Sequence, residues 1–283
     1  MTSHRPRPAS RPHRSSRALG TALAAGTLLA TAACSGGQEA PAARESAAAP
    51  AHHLERGPSP SPSPSSRLTE EGAQNALITE ADIEEQWQKS RTPPQSWRDS
   101  LLLGEVDVAD FVTGRSDAKE CQRLVDALYD DTLLGKPPGP TALAGFEQGD
   151  SRLLYQVAGY DEKTLDASMK WLSSLPETCD TFTVTGGDSG RRTVEVTETS
   201  LPDEGDARQG LKVQLKGESA GNPVTLTLDV AAVRIGTDAF TVMNGGLDGA
   251  DAPTTKNAVE QGTQRLEEVQ AGRTPAPAPS EIE

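Results

Sequence analysis

Apolar and polar residues alternate strictly through the second half of the chain, and that alternation limits the folds open to it. Val194 and Val196 alternate with Glu195 and Thr197, and Leu211, Val213 and Leu215 with Lys212, Gln214 and Lys216. Val224, Leu226, Leu228 and Val230 alternate with Thr225, Thr227 and Asp229, and Phe240 and Val242 continue after a turn at Gly236-Thr237-Asp238. Successive side chains of a strand point to opposite faces, so each segment reads as a strand with one buried and one wet face. One-sided strands belong to antiparallel sheets; those of parallel sheets are apolar throughout.

Earlier segments supply helices and two more strands. Thr79 caps a helix that carries the Glu85/Lys89 pair and ends at Pro93-Pro94. Asp117 and Glu120 read as a capping box before a stripe of Cys121, Leu124, Val125 and Leu128. Residues 135–145, with Pro137-Pro138-Gly139-Pro140, read as loop. Leu153, Tyr155 and Val157 mark a strand. Asp161 caps a helix burying Leu165, Met169 and Leu172 and stopped by Pro176, and residues 181–185 form the next strand. A last helix begins near Thr254-Thr255 and buries Ala258, Gly262, Leu266 and Val269. The fold class that follows is α+β: an antiparallel sheet of about five to seven strands, helices packed on one face, and one disulfide.

All ten aromatic residues lie between Trp87 and Phe240. Only residues 76–270 can therefore bury a sizeable core, as one domain. Residues 1–33 read as a lipoprotein signal peptide. Five arginines precede residues 18–33, which carry no charge and are too short to span a bilayer. The run Leu28-Leu29-Ala30-Thr31-Ala32-Ala33-Cys34 resembles a lipobox, with Thr31 where leucine is commonest. It predicts cleavage before Cys34 and lipid, such as palmitate, on its sulfur. The alternative is a plain secretory signal that leaves Cys34 a free thiol. Residues 34–75 read as a disordered tether around Pro58-Ser59-Pro60-Ser61-Pro62-Ser63-Pro64, and 271–283 as a disordered tail.

Charge and histidine placement exclude several functions. The first 33 residues hold five of the 27 basic residues and none of the 41 acidic ones, so the remainder carries a net −19. That charge repels phosphate, and no nucleic-acid partner is expected. The four histidines, His4, His13, His52 and His53, all precede the domain, which removes a histidine triad or histidine metal site. Gly187-Asp188-Ser189-Gly190 looks like the nucleophile segment of trypsin-like proteases, but without a base Ser189 stays a weak nucleophile, and a hairpin turn is the simpler reading. The oxygen-rich stretches Asp203–Asp206 and Asn244–Asp251 match no complete calcium loop, and Glu195 and Glu198 read as solvated rather than as a glycosidase pair. No catalytic residue, metal site or cofactor is expected.

Three cysteines leave an odd one. Cys121 and Cys179 are expected to pair in an oxidising compartment, with Cys34 left for lipid. A redox or metal pair would need a Cys-x-x-Cys spacing or a third ligand in the domain, and neither is present.

The order Cys121-x-x-Leu124, Trp171 eight residues before Cys179, Val233-Arg234-Ile235-Gly236 and Arg265-Leu266 resembles the PknH-like extracellular sensor domain of bacterial Ser/Thr kinases, which also occurs in stand-alone lipoproteins. The resemblance implies a non-catalytic α+β domain with a ligand groove, and the same Cys121–Cys179 pairing. Members often have two disulfides, and this chain has cysteines for one. The expected protein is a membrane-anchored extracytoplasmic lipoprotein with a ligand-binding or sensor-like domain. Its expected partners are the membrane, through lipid on Cys34, and an unidentified extracytoplasmic ligand or envelope protein. A structural or partner-binding envelope role is the alternative, and a hydrolase is a more distant one.

Overall fold

A computed structural model describes residues 68–84, 86–91, 102–103, 106–187, 190–247 and 249–276. All lie within one compact unit, Ser59–Glu283. The signal segment, Cys34, the tether to residue 67, the four histidines, Glu85, Asp188, Ser189, Asp248 and residues 277–283 lie outside the described residues.

Among these residues the chain runs α1 (Glu70–Asn75), β1 (Gln88–Lys89), β2 (Leu102–Leu103), β3 (Val106–Asp107), α2 (Val108–Val112), β4 (Arg115–Ser116) and α3 (Gln122–Asp130). It continues through β5 (Thr141–Gln148), β6 (Ser151–Gly159), α4 (Glu162–Thr178), β7 (Thr181–Thr185) and β8 (Arg191–Thr199). It closes with β9 (Ala207–Ser219), β10 (Asn222–Ile235), β11 (Asp238–Gly246) and α5 (Ala252–Gln270). Nine strands form one sheet in the order β1-β5-β6-β11-β10-β9-β8-β7-β4. Every neighbouring pair is antiparallel.

The α+β class and the antiparallel sheet stand, but the strand count exceeds five to seven. Residues 141–145, expected as loop, open β5, which pairs along its length with β6. Ala142, Leu143, Ala144 and Gly145 carry little strand preference of their own. The two-residue strands β1 and β4 are the sheet's ends, too short to leave a pattern in sequence.

Helices cover both faces, not one. In β10, Val230 and Ala232 join the layer under α2, α3 and α4, whereas Ala231 and Val233 join the layer under α1 and α5. The small Ala231, Ala232, Ala158 and Ala239, all buried, let helices approach from either side. Over β8 and β9 the second face is polar, where Lys216 pairs with Glu195 at 2.7 Å and Lys212 with the buried Asp229 at 2.7 Å. The alternation in sequence describes β8 and β9 well. The buried run through the centre of the sheet, Leu153–Ala158 included, is continuous.

Local expectations shift at four points. Around Thr79 only a three-residue 3-10 turn forms, with Asp82 and Thr79 as a reciprocal cap. The chain then straightens because Ile83 and Trp87 are buried and the Glu84 carboxylate bonds Thr254 and Asn257 of α5. The Asp117 carboxylate does not cap a helix; it accepts the Thr183 N–H at 2.8 Å and so satisfies β7 beside the short β4. Pro176 lies inside the last turn of α4, and the ladder resumes with Cys179 N–H donating to Leu175 O at 2.8 Å. Among the described residues, packing already includes residues ahead of residue 76. Leu68, Ala73 and Ala76 are core residues, and the Arg265 guanidinium reaches back to Asn75 O and Asp82.

Cys121 and Cys179 are disulfide-bonded and buried, joining the start of α3 to the end of α4. Beside them the Arg123 guanidinium lies 3.8 Å from the centre of the Trp171 ring. β7 pairs antiparallel with β8, and beyond their last pair Gly186 N–H donates to Gly190 O. Next to it Arg192 is fully buried: its guanidinium donates to Gly186 O and Thr113 O and lies over the Phe111 ring.

Candidate ligand cleft

Leu68 enters the domain between two clefts. One, of about 260 Å³, lies against the ends of α1 and α5. The other, of about 380 Å³, is the richer in chemistry. It forms where β5 starts, β6 ends, the β10–β11 hairpin turns and α4 begins.

Each wall has a local reason. Pro138-Gly139-Pro140 runs into β5, and Gly159 N–H donates to Pro140 O at 3.0 Å. A side chain at Gly139 would put its Cβ 3.0 Å from Gly159 O, so glycine lets the two segments meet. Tyr160 follows directly, and its N–H donates to Thr237 O at 2.9 Å. Gly236, at φ 62°, makes the two-residue turn possible, and its N–H is held by the Asp206 carboxylate at 2.6 Å.

Asp238 is the cleft's buried carboxylate, only 3% exposed. The Gln270 amide donates to it at 2.9 Å and also to Ile235 O, while the Leu68 backbone N–H bonds it from the N-terminal side. Burial raises its pKa above the ordinary carboxylate value, against the opposing pull of those two donors. Asp238 thus ties the chain entry, the hairpin and the end of α5 to one another.

Tyr160 is 8% exposed, and burial pushes its phenol up. Asp161 caps α4, accepting from the Thr164 hydroxyl at 2.7 Å and the Thr164 N–H at 2.9 Å, and those bonds hold its carboxyl low. Arg234 stands nearby but is engaged: its guanidinium pairs with Asp166 and Glu162 and donates to Gly236 O.

The residues singled out in sequence lie elsewhere. Cys121 and Cys179 are brought together, away from this cleft. Cys34 and Ser189 are outside the described residues. In the 203–206 loop Asp203 pairs with Arg208 and Asp206 binds Gly236 N–H; Asp251 caps α5 while Asn244 holds its carbonyl. Those oxygens serve the fold. Among the described residues no group of three or more His, Cys, Asp or Glu could hold a metal ion. No described helix is long and apolar enough to cross a membrane.

Leu68, Gly139, Tyr160, Asp238 and Gln270 were not legible as a site, since they come from five separate segments. The one local signal is Tyr160-Asp161, an aromatic residue set directly before a helix cap.

No protein-family model and no curated protein matches the sequence. Among solved structures, the extracellular domain of PknH from Mycobacterium tuberculosis superposes with a TM-score of 0.40 and 13% identity, covering 73% of this chain and 98% of that one. A likeness at that level transfers neither function nor site residues.

Proposed function

We propose that this chain is a lipid-anchored protein of the cell envelope whose domain binds a ligand outside the cytoplasm without transforming it. In this reading residues 1–33 are removed, Cys34 carries the lipid, residues 35–67 are the tether, and the domain from Leu68 presents the cleft. The observation that carries it is the Cys121–Cys179 disulfide. Stable disulfides belong to oxidising compartments, and this one leaves Cys34, at the end of an uncharged run, as the remaining cysteine. The cleft supports the binding half of the reading: it combines apolar walls with a few fixed polar groups, and its volume is that of a small-ligand site.

Two experiments test the halves separately. Cys34→Ser should move the protein from the membrane fraction to the soluble one, and a variant that stays in the membrane removes the anchor. A thermal-shift screen of the chain against cell-wall fragments and small metabolites should find a stabilising ligand. A null result across both classes removes the binding role.

A further inference from the structure

We propose that residues 68–84 form a strap that lifts from α5 as one unit while the nine-stranded sheet stays folded. The lifting goes beyond the binding reading above and does not depend on it.

The strap is docked against the sheet and not woven into it. Its main-chain bonds close within it: Ala73 N–H donates to Thr69 O, Ala76 N–H to Gly72 O, Leu77 N–H to Gln74 O and Asp82 N–H to Thr79 O. Strand pairing starts only at β1, where Gln88 meets Glu147. Trp87, buried just ahead of β1, marks where the fixed part begins. Lifting residues 68–84 therefore unpairs no described strand.

Side chains hold the strap down, and most of them sit on α5. Arg265 donates to Asn75 O at 3.2 Å and to Asp82 at 3.3 Å, and the Glu84 carboxylate accepts from Thr254 and Asn257 at 2.8 Å each. Glu80 accepts the Lys89 N–H, and Leu68 N–H bonds Asp238 at the far end. The apolar grip of α1 is small, because the residues it buries are Gly72 and Ala73.

The closed seam also leaves polar atoms unsatisfied. The Tyr155 hydroxyl and Arg265 Nε are buried and have no hydrogen-bond partner among the described residues. Tyr155 packs in one layer with Leu68, Ala73, Ala76 and Ile78, and its hydroxyl lies against Gly262 of α5. Burial pushes its phenol up, and the charges of Arg265 and Asp82 act on it in opposite senses. An unpaired buried polar group is costly, and lifting the strap returns these two atoms to water. The strap is thus both the part least tied to the sheet and the part whose closure is opposed from beneath.

Drawn out, residues 68–84 would add roughly 55 Å to the chain ahead of β1. In the anchored reading above the domain would then stand farther from the membrane, a consequence that rests on that reading as the lifting does not.

The test is native-state hydrogen exchange at residue resolution, in rising denaturant, on the full chain carrying Cys34→Ser. The amides of Ala73, Ala76 and Asp82 should share one opening, with a weaker denaturant dependence than the amides of β6. Exchange of all three together with β6 overturns the strap, since only global unfolding would then expose it. Separate openings for Asp82 and for α1 overturn the unit. Tyr155→Phe removes the unpaired hydroxyl and should slow the three strap amides about 10-fold relative to those of β6. Arg265→Met removes the links to Asn75 and Asp82 and should speed them by a similar factor. Strap amides that keep their rates relative to β6 in both variants would overturn the role given to the α5 seam.

Discussion

Asp238 shows how one residue sets a pH response. Its ordinary value is 3.8, and burial raises it in the folded protein. A carboxyl with a raised folded value binds its proton more readily when folded. Its ionisation therefore subtracts from stability as pH rises from 3.8 through the folded value, and the full subtraction is present above it. Asp117 and Asp161 act oppositely. The Thr183 backbone N–H chiefly lowers the first and the Thr164 hydroxyl the second, so their contribution is present above 3.8 and lost as pH falls through their folded values. Asp238→Asn keeps an oxygen for Gln270 and Leu68 N–H and removes the charge. Urea denaturation across pH should show a smaller loss of stability above pH 3.8 in this variant than in the parent. Identical profiles would mean that Asp238 does not carry the effect.

At the scale of elements, the disulfide and the sheet's two coverings divide the work. Cys121 and Cys179 are 58 residues apart, and their bond restrains the segment holding β5, β6 and α4. Chain entropy assigns such a loop about 4 kcal/mol. Cys121→Ser with Cys179→Ser should lower unfolding free energy by up to that amount in chemical denaturation, and a loss below about 1 kcal/mol would show that helix packing alone holds α3 against α4. On the other face α5 lies close over β6 and β11, because Gly262 admits the Tyr155 hydroxyl where a Cβ would stand 2.4 Å from it. Tyr155 in turn stacks on Phe240 with ring centres 5.3 Å apart. The helical stripe of Ala258, Gly262 and Leu266 was readable; that Gly262 faces Tyr155 of β6 was not.

For the molecule as a whole, the N-terminal boundary decides whether the second layer closes. Leu68 is 6% exposed, its N–H serves Asp238, and α1 carries Ala73 into the same core. Burying a leucine contributes roughly 2 kcal/mol. A chain starting at Ala76 should therefore be less stable than one starting at Leu68 by at least about 2 kcal/mol, measured by thermal and urea unfolding. Equal stability would return residues 68–75 to the tether. Aromatic content does not point to Leu68 and Ala73, because the first aromatic residue, Trp87, follows α1.

Much of the fold follows from local rules. Two-residue periodicity marks the strands between residues 191 and 246, Asp161 and Asp251 cap helices through bonds three residues long, and the two cysteines of the domain have one another to pair with. What needed the folded chain is everything set by pairing over long separations. β6 meets β11 some 80 residues on, which places Gly159 opposite Asp238 and brings Tyr160 to the hairpin turn. α5 then returns Gln270 to the same carboxylate. Side chains that share no period and no neighbourhood in sequence become a cleft only because the sheet's register puts their strand ends together.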